Sequence, residues 1–414
     1  MTPKRSSEVV VVGGGVAGIC CAHHLNERGI AVHVIERDGV AQATTSCGAG
    51  FIAYWAGGLI PPWAEQELAC ERYAITFYSE LHAERPAFSF RRSGSLYIAM
   101  TERGWQERVK AVANFSEIRT RRLLDRDEAV EVGVILRRDG LVTGGVYDPD
   151  TVQLVARDAT RTLATMLRER GVSIAERSPA TRLLIDRGRV RGVETPAGML
   201  AADAVVLAAG MWANLLLREH GIWLPYAPMG AIRITTESLS LPATVPMLQV
   251  PEFGAWLREE GGALVWGTGY EGRHRHAFLA GDPPERMEEL PMDGLWETQR
   301  KGLAMAAAIP CLARYREFTY TQGAPCHTPD LLPLVGPVGG IEGLYVLAGD
   351  NEAGVTHAPG LGRALAEHIA GDEPFIDLQR YRTDRFGQRF QTTRDVGLAV
   401  DRSLEDISWA GSRH

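Results

Sequence analysis

Three glycines and one acid supply the first chemistry in this chain. Gly13-x-Gly15-x-x-Gly18 ends the apolar run Val9-Val10-Val11-Val12, and Glu36 closes the next apolar alternation, Ala31-Val32-His33-Val34-Ile35. Glycines at this spacing bind phosphate. Gly13 permits a tight strand-to-helix turn, Gly15 lets a pyrophosphate approach the backbone, and Gly18 lets a helix lie against the strand. Val16 and Ala17 open that helix, whose first N–H groups and partial positive charge face an anion. Glu36 comes 18 residues after Gly18, where its carboxylate can accept hydrogen bonds from a ribose diol and would repel a 2′-phosphate, which disfavours NADP. A glycine-rich turn on an ordinary α/β unit is the alternative. The order strand, helix, strand, acid favours a dinucleotide site.

Two histidines are the other candidates for chemistry near neutral pH. His327 lies just before the turn Thr328-Pro329-Asp330, and a solvent-facing loop histidine is its plain alternative. His357 sits where the last apolar helical stretch begins; an imidazolium is disfavoured at a helix N-terminus, so a neutral ring is expected. That ring either faces a bound group or caps its helix. His274 and His276 lie among arginines in a polar loop and are expected to be solvated. Among 44 basic residues only Lys4, Lys110 and Lys301 are lysines, so a mechanism that needs a lysine has three candidates.

These residues need a large scaffold. A chain of 414 residues is expected to fold as two domains. Its 45% hydrophobic and 23% charged content is that of an ordinary globular protein, and a net charge of -7 without a basic stripe argues against nucleic acid. No uncharged apolar run is long enough to span a bilayer, and the run after Lys4 and Arg5 is too short for an export signal, so a cytoplasmic location is expected. Cys20, Cys21, Cys47, Cys70, Cys311 and Cys326 show neither CxxC pairs nor zinc spacing, so neither a metal nor disulfides are expected.

The apolar pattern predicts helices over 65–85, 105–114, 150–170, 285–307 and 360–369. It predicts strands over 93–98, 144–147, 172–176, 204–208, 231–235, 263–267 and 343–350. The runs at 204–208 and 343–350 are continuous, as in buried parallel strands, whereas 227–322 alternates as antiparallel strands do. The fold class is therefore α/β: a doubly wound, mostly parallel nucleotide-binding domain with an inserted, mainly antiparallel α+β substrate domain. Residues 1–85, 150–225 and 325–390 are expected in the first domain and 86–149 and 226–324 in the second, with 391–414 a polar, peripheral tail.

A nucleotide fold that returns near its end with a second glycine turn, Gly349-Asp350 to Gly354, suits FAD better than NAD. The returning turn gives a second helix N-terminus where an isoalloxazine could be held. Gly13–Gly18 with Glu36, the Thr45-Ser46-x-x-Ala49-Gly50 loop, Ala208-Ala209-Gly210-Met211-Trp212, Thr328–Gly336 and Gly349…Gly354 occur in this order. Together they resemble the D-amino-acid oxidase and sarcosine oxidase superfamily of flavoproteins. Trp256–Glu260, Gly267-x-x-Tyr270-Glu271 and Gly323-Ala324-Pro325 resemble its dimethylglycine and sarcosine dehydrogenase branch in particular. The resemblance covers about residues 8–387 and implies FAD held by both hinges, with Arg37, Trp212, Val355 and Thr356 beside them. On that pattern Asp350 would stand near the ribityl chain, although the superfamily usually has another residue there.

The departures from the family pattern matter as much. Gly48 stands where those dehydrogenases carry flavin on a histidine, and Gly323 stands near where monomeric sarcosine oxidase carries it on a cysteine. Noncovalent FAD is therefore expected. Pro325 replaces the carboxylate-clamping arginine of the glycine oxidase branch, and Thr356 replaces the lysine of sarcosine oxidase, which leaves Arg258 as the candidate clamp. Val265 and Trp266 stand where oxidases of the sarcosine type carry an oxygen-activating lysine, which favours a dehydrogenase or an oxidase that handles oxygen another way, so that the acceptor is a carrier or O2. Tyr54 is expected to line the substrate face, and Trp55 to be core. The implied reaction is oxidation of a primary or secondary amine, such as an amino acid or N-methyl amino acid, by hydride transfer to flavin N5. The imine product then hydrolyses. Two other readings stay open: a flavin dehydrogenase of a 2-hydroxy acid or polyol phosphate, and a non-catalytic flavoprotein subunit of a complex.

Overall fold

The computed structural model describes residues 8–53, 65–109, 120–268, 282–291 and 293–407. It opens with the unit the glycine turn demands: β1 (Glu8–Val12), α1 (Val16–Glu27) and β2 (Ala31–Ile35). β1 and β2 run parallel, with Val9 opposite Val32 and Val12 opposite Ile35. Val9, Val10 and Val11 are buried because both faces of this sheet are covered. α2 (Thr44–Cys47) and α3 (Glu65–Glu84) follow, then the antiparallel pair β3 (Ser95–Ala99) and β4 (Gly144–Asp148). α4 (Ala156–Glu169) leads to β5 (Ser173–Ala175) beside β2, and β6 (Ala204–Leu207) flanks β1 on its other side.

The chain next lays down β7 (Ala231–Ser238), β8 (Met247–Val250), β9 (Ala255–Glu260), β10 (Ala263–Thr268), α5 (Asp293–Met305) and β11 (Phe318–Gly323). It closes with β12 (Cys326–His327), β13 (Leu334–Pro337), β14 (Leu344–Ala348), α6 (Gly354–Ala370) and α7 (Thr393–Ile407).

Two large sheets result. The six-stranded sheet has the order β13-β14-β6-β1-β2-β5 and is parallel except for β13. The eight-stranded sheet runs β11-β7-β10-β9-β8-β3-β4 and ends on Arg122–Leu124. It is antiparallel except where β8 meets β3, the point at which the early strands join the later ones. Apolar clusters cover both faces of the first sheet, and a separate cluster that includes Trp266 and Leu295 fills the second.

Several elements differ from the sequence pattern. The helix expected from 150 starts only at Ala156, because Val152–Leu154 pairs as a strand with Phe51–Ile52 and Phe90–Arg91. The helix expected from 360 starts at Gly354; Pro359 inside it reads as a breaker in sequence. The helix expected over 285–307 shrinks to α5. The expected helix from 105 is a π-helical turn over Trp105–Val109, beyond which residues 110–119 lie outside the described set. The peripheral tail needs the largest correction. α7 buries Val396, Val400 and Leu404, and Ser403 donates to the Pro329 carbonyl at 2.6 Å. Three apolar residues four apart make one helical stripe that the polar composition conceals.

Candidate functional site

The opening hinge is built by close backbone approach. Gly13 has φ +119°, and a Cβ there would lie 2.3 Å from the Ala208 carbonyl oxygen at the end of β6. A Cβ on Gly18 would lie 2.0 Å from the Gly13 oxygen, so only glycine lets α1 sit this near β1. α1 starts after Gly15 with no side-chain cap on that residue and no acid in its first turn; the Val16 N–H donates to Thr45 Oγ1 at 3.1 Å. Ala17 packs half-buried against the core. Glu36 faces the hinge: Oε2 accepts the Gly14 N–H at 2.6 Å and Oε1 the Asp38 N–H at 2.9 Å. Burial pushes the Glu36 carboxyl above its usual range, against the pull of those two N–H groups. Arg37 lies 4.0 Å over the Trp212 ring, whose Nε1–H donates to the Pro284 carbonyl at 2.8 Å, and Gly210 (φ +54°) makes the turn before it. Glu36, Arg37 and Trp212 thus form one edge of the site.

The α2 loop ties the two sheets together. Thr44 Oγ1 accepts the Ala324 N–H at 3.1 Å, and the Ser46 hydroxyl donates to the Ala43 carbonyl at 2.9 Å. The Ser46 carbonyl accepts from Arg233 Nη1 at 3.2 Å. Gly50 (φ +72°) passes so near Leu154 that a Cβ would lie 2.1 Å from its oxygen. Arg258, on β9, is 2% exposed; Nε donates to the Ala49 carbonyl and Nη2 to Glu260, both at 2.6 Å. Burial pulls its pKa down to about 10. The structure therefore gives Arg258 a different task from the expected clamp: it fastens the α2 loop to the second sheet.

The closing hinge carries more strain. Gly349, Asn351 and Glu352 all have positive φ, at +68°, +45° and +73°. Asn351 holds the turn: Nδ2 donates to the Gly349 carbonyl at 2.8 Å, Oδ1 accepts the Thr328 N–H at 2.9 Å, and its own N–H reaches the Cys326 carbonyl at 3.1 Å. His327 lies between those two anchors, fully buried and paired in β12 with Ala227. It is not a solvent-facing loop residue. α6 then begins without a side-chain cap on Ala353 and with no acid in its first turn; Val355 is half-buried and Thr356 buried. A Cβ on Gly354 would lie 3.6 Å from Val16 Cγ1, so the N-termini of α1 and α6 meet.

His357 departs from expectation. Its Nδ1 lies 2.9 Å from Asp350 Oδ1. Burial pulls the imidazole pKa down, but Asp350, with Glu71 and Glu67 behind it, outweighs burial and holds it above its usual range. A carboxylate in contact overrides the helix dipole that argued for a neutral ring. Asp350 is likewise engaged with His357. Tyr54, Trp55, Lys4, Lys110, Tyr270, Glu271, His274 and His276 lie outside the described residues. Lys301 is buried on α5, its Nζ 3.6 Å from Glu297. All six cysteines are free thiols and buried.

Asn351, Thr44 and Arg233 escaped sequence reasoning. Only Asn351 left a signal, since asparagine after Gly-Asp is a residue that tolerates left-handed backbone. Two helix N-termini whose own N-cap residues make no side-chain cap and whose first turns hold no acid, approached by glycine backbone on both sides, fit an FAD. α1 would offer its N–H groups to the pyrophosphate, Glu36 would accept from the ribose, and α6 would present a positive end to the electron-rich ring.

The profile of the family described as FAD dependent oxidoreductase matches residues 8–368. The chain belongs to this family of FAD-dependent oxidoreductases. It is 27% identical to the mitochondrial dimethylglycine dehydrogenase of Rattus norvegicus over 93% of its own length. It is 30% identical to the 4-methylaminobutanoate oxidase (formaldehyde-forming) of Paenarthrobacter nicotinovorans over 91%. The chain spans 45% of the length of each of these relatives. In fold it is similar to the L-proline dehydrogenase of P. horikoshii, with a TM-score of 0.79 at 24% identity, covering 93% of this chain and 98% of that one. Among the described residues no helix is long and apolar enough to cross a membrane.

Proposed function

We propose that this chain oxidises the C–N bond of a primary or secondary amine, an amino acid or N-methyl amino acid, to an imine that water hydrolyses. The observation that carries this reading is the meeting of α1 and α6 at Val16 and Gly354, which frames a single FAD site. The amine preference is supported by the two relatives' names, dimethylglycine dehydrogenase and 4-methylaminobutanoate oxidase. FAD, when bound, supplies the acceptor of a hydride leaving the substrate carbon. The chain's own residues bind and position. Gly13–Gly18 and Glu36 hold the nucleotide end, and Asn351 fixes the closing hinge. Arg258 fastens the α2 loop, and His327, buried where the sheets meet the closing hinge, is the histidine best placed to keep an amine unprotonated. Tyr54 is proposed for the substrate side.

The FAD is proposed to be noncovalent. Gly48 offers no nucleophile, and the Cys47 thiol is pushed up to about 12 by burial while donating to the Thr321 carbonyl at 3.3 Å. The test is anaerobic mixing of the yellow protein with amines, N-methyl amino acids and 2-hydroxy acids. Bleaching of the flavin band by an amine is expected; bleaching by hydroxy acids alone would overturn the proposal. Readmitted air then separates an oxidase from a dehydrogenase by the rate at which colour returns.

A further inference from the structure

α3 and α6 pack so closely that a Cβ on Gly360 would lie 2.8 Å from Cys70 Sγ. This seam carries Glu67, Cys70 and Glu71 from α3 and His357 from α6, all buried, with Asp350 of the closing hinge at its end. Glu67 is satisfied by the Tyr381 hydroxyl at 2.6 Å and Arg380 Nε at 3.2 Å. Asp350 is half satisfied: Oδ1 meets His357, while Oδ2 is buried with no hydrogen bond among the described residues. Glu71 is 0% exposed, and neither of its carboxyl oxygens has a hydrogen-bond partner among the described residues.

A lone carboxylate in that position is too costly to keep charged, so it holds its proton. Burial pushes the Glu71 pKa up to about 8; His357 and Arg121 pull it down, and Glu67 and Asp148 push it further up. The ionisable groups that face it come from both sheets. On one side are His357, Glu67 and Cys70, with Asp350 behind His357 and Arg380 and Tyr381 behind Glu67. On the other are Tyr97 on β3 and the buried Arg121–Asp148 pair at 3.1 Å.

We propose that Glu71 is a positioning residue for the cofactor's electrostatics: by gaining or losing a proton it switches the charge of the seam behind the α6 N-terminus and so sets the reduction potential of bound FAD. Asp350 and His357 together are neutral as an ion pair. Ionising Glu71 adds one negative charge to the trio. Reduction adds negative charge to the cofactor, and a buried anion nearby opposes that. Glu71 forms and breaks no bond with substrate; only its charge changes. The inference rests on FAD lying at the α6 N-terminus and is independent of the amine reading, because the potential can be measured with a chemical reductant and no substrate.

The experiment is the midpoint potential of FAD in wild-type holoenzyme and in Glu71→Gln, by dye equilibration from about pH 6 to about pH 10. The curves should coincide below about pH 7. Above about pH 9 the wild type should fall below the variant by about tenfold in the two-electron equilibrium constant, ~30 mV. Parallel curves over the whole range, or a variant lower than wild type, would overturn the proposal. If Glu71→Gln loses FAD, infrared spectroscopy of wild-type holoenzyme decides. A protonated-carboxyl band at neutral pH that vanishes as pH rises through about 8 supports the proposal, and its absence at neutral pH overturns it.

Discussion

Gly18→Ala sets two known effects against each other. Alanine is better than glycine inside a helix by about 1 kcal/mol, so propensity alone predicts a more stable protein. The geometry predicts the opposite. The new Cβ would lie 2.0 Å from the Gly13 oxygen, 3.1 Å from the Gly13 carbonyl carbon and 3.2 Å from Val11 Cγ1. The first two atoms belong to the turn backbone and cannot rotate aside. α1 would have to withdraw from β1 by about 1 Å, and overpacking of this kind costs about 1–3 kcal/mol. α6 resists the withdrawal, because a Cβ on Gly362 would already lie 2.8 Å from the Cys21 nitrogen on α1. The net expectation is a loss of up to about 2 kcal/mol of stability and, because the phosphate-facing helix N-terminus moves, at least about tenfold weaker FAD binding. Urea denaturation of the apoprotein reads the first and flavin fluorescence titration the second. A Gly18→Ala protein as stable as wild type that binds FAD within about twofold would refute the packing argument.

Glu71→Gln has a second consequence. Native Glu71, with a pKa of about 8, keeps a proton that the unfolded chain releases near the ordinary carboxyl value, so wild-type stability falls as pH rises between those two values. The variant escapes this fall. It should match wild type near about pH 4 and exceed it above about pH 8, by at most on the order of 5 kcal/mol in urea melts at the two pH values. Arg258→Met leaves the Ala49 carbonyl without its 2.6 Å donor and leaves Glu260, among the described residues, with Arg233 at 3.6 Å. Glu260 is part-exposed and keeps some solvation, so the cost is that of an unsatisfied buried carbonyl, about 1–3 kcal/mol, seen as a lower denaturation midpoint together with reduced FAD content in the purified protein.

The parts of the fold legible in the sequence were those where one local rule dominates. Val9–Val12 into Gly13 reads as strand and turn because a buried parallel strand needs a continuous apolar run and the turn needs glycine. Ala204–Leu207 and Leu344–Ala348 obey the same rule. Long-range partners decided the rest. Val152–Leu154 became a strand only because Phe51–Ile52 and Phe90–Arg91 lie alongside it. Arg258 read as an anion clamp until Ala49 and Glu260 took up its guanidinium. The protonation of His357 was misjudged because the helix dipole is visible in sequence order, whereas the contact with Asp350 depends on a left-handed turn at Asn351 and Glu352. Glu71 gave no signal at all, since a single glutamate on a charged helix looks solvated until α6 covers it.

Hydrogen–deuterium exchange of apoprotein and FAD-loaded protein tests most directly whether both hinges grip one cofactor. Slower exchange on loading is expected in two separate segments, residues 13–18 and residues 353–357, with the same FAD concentration dependence at one FAD per chain. Protection confined to the first segment, or titrating at two different FAD concentrations in the two segments, would contradict the account.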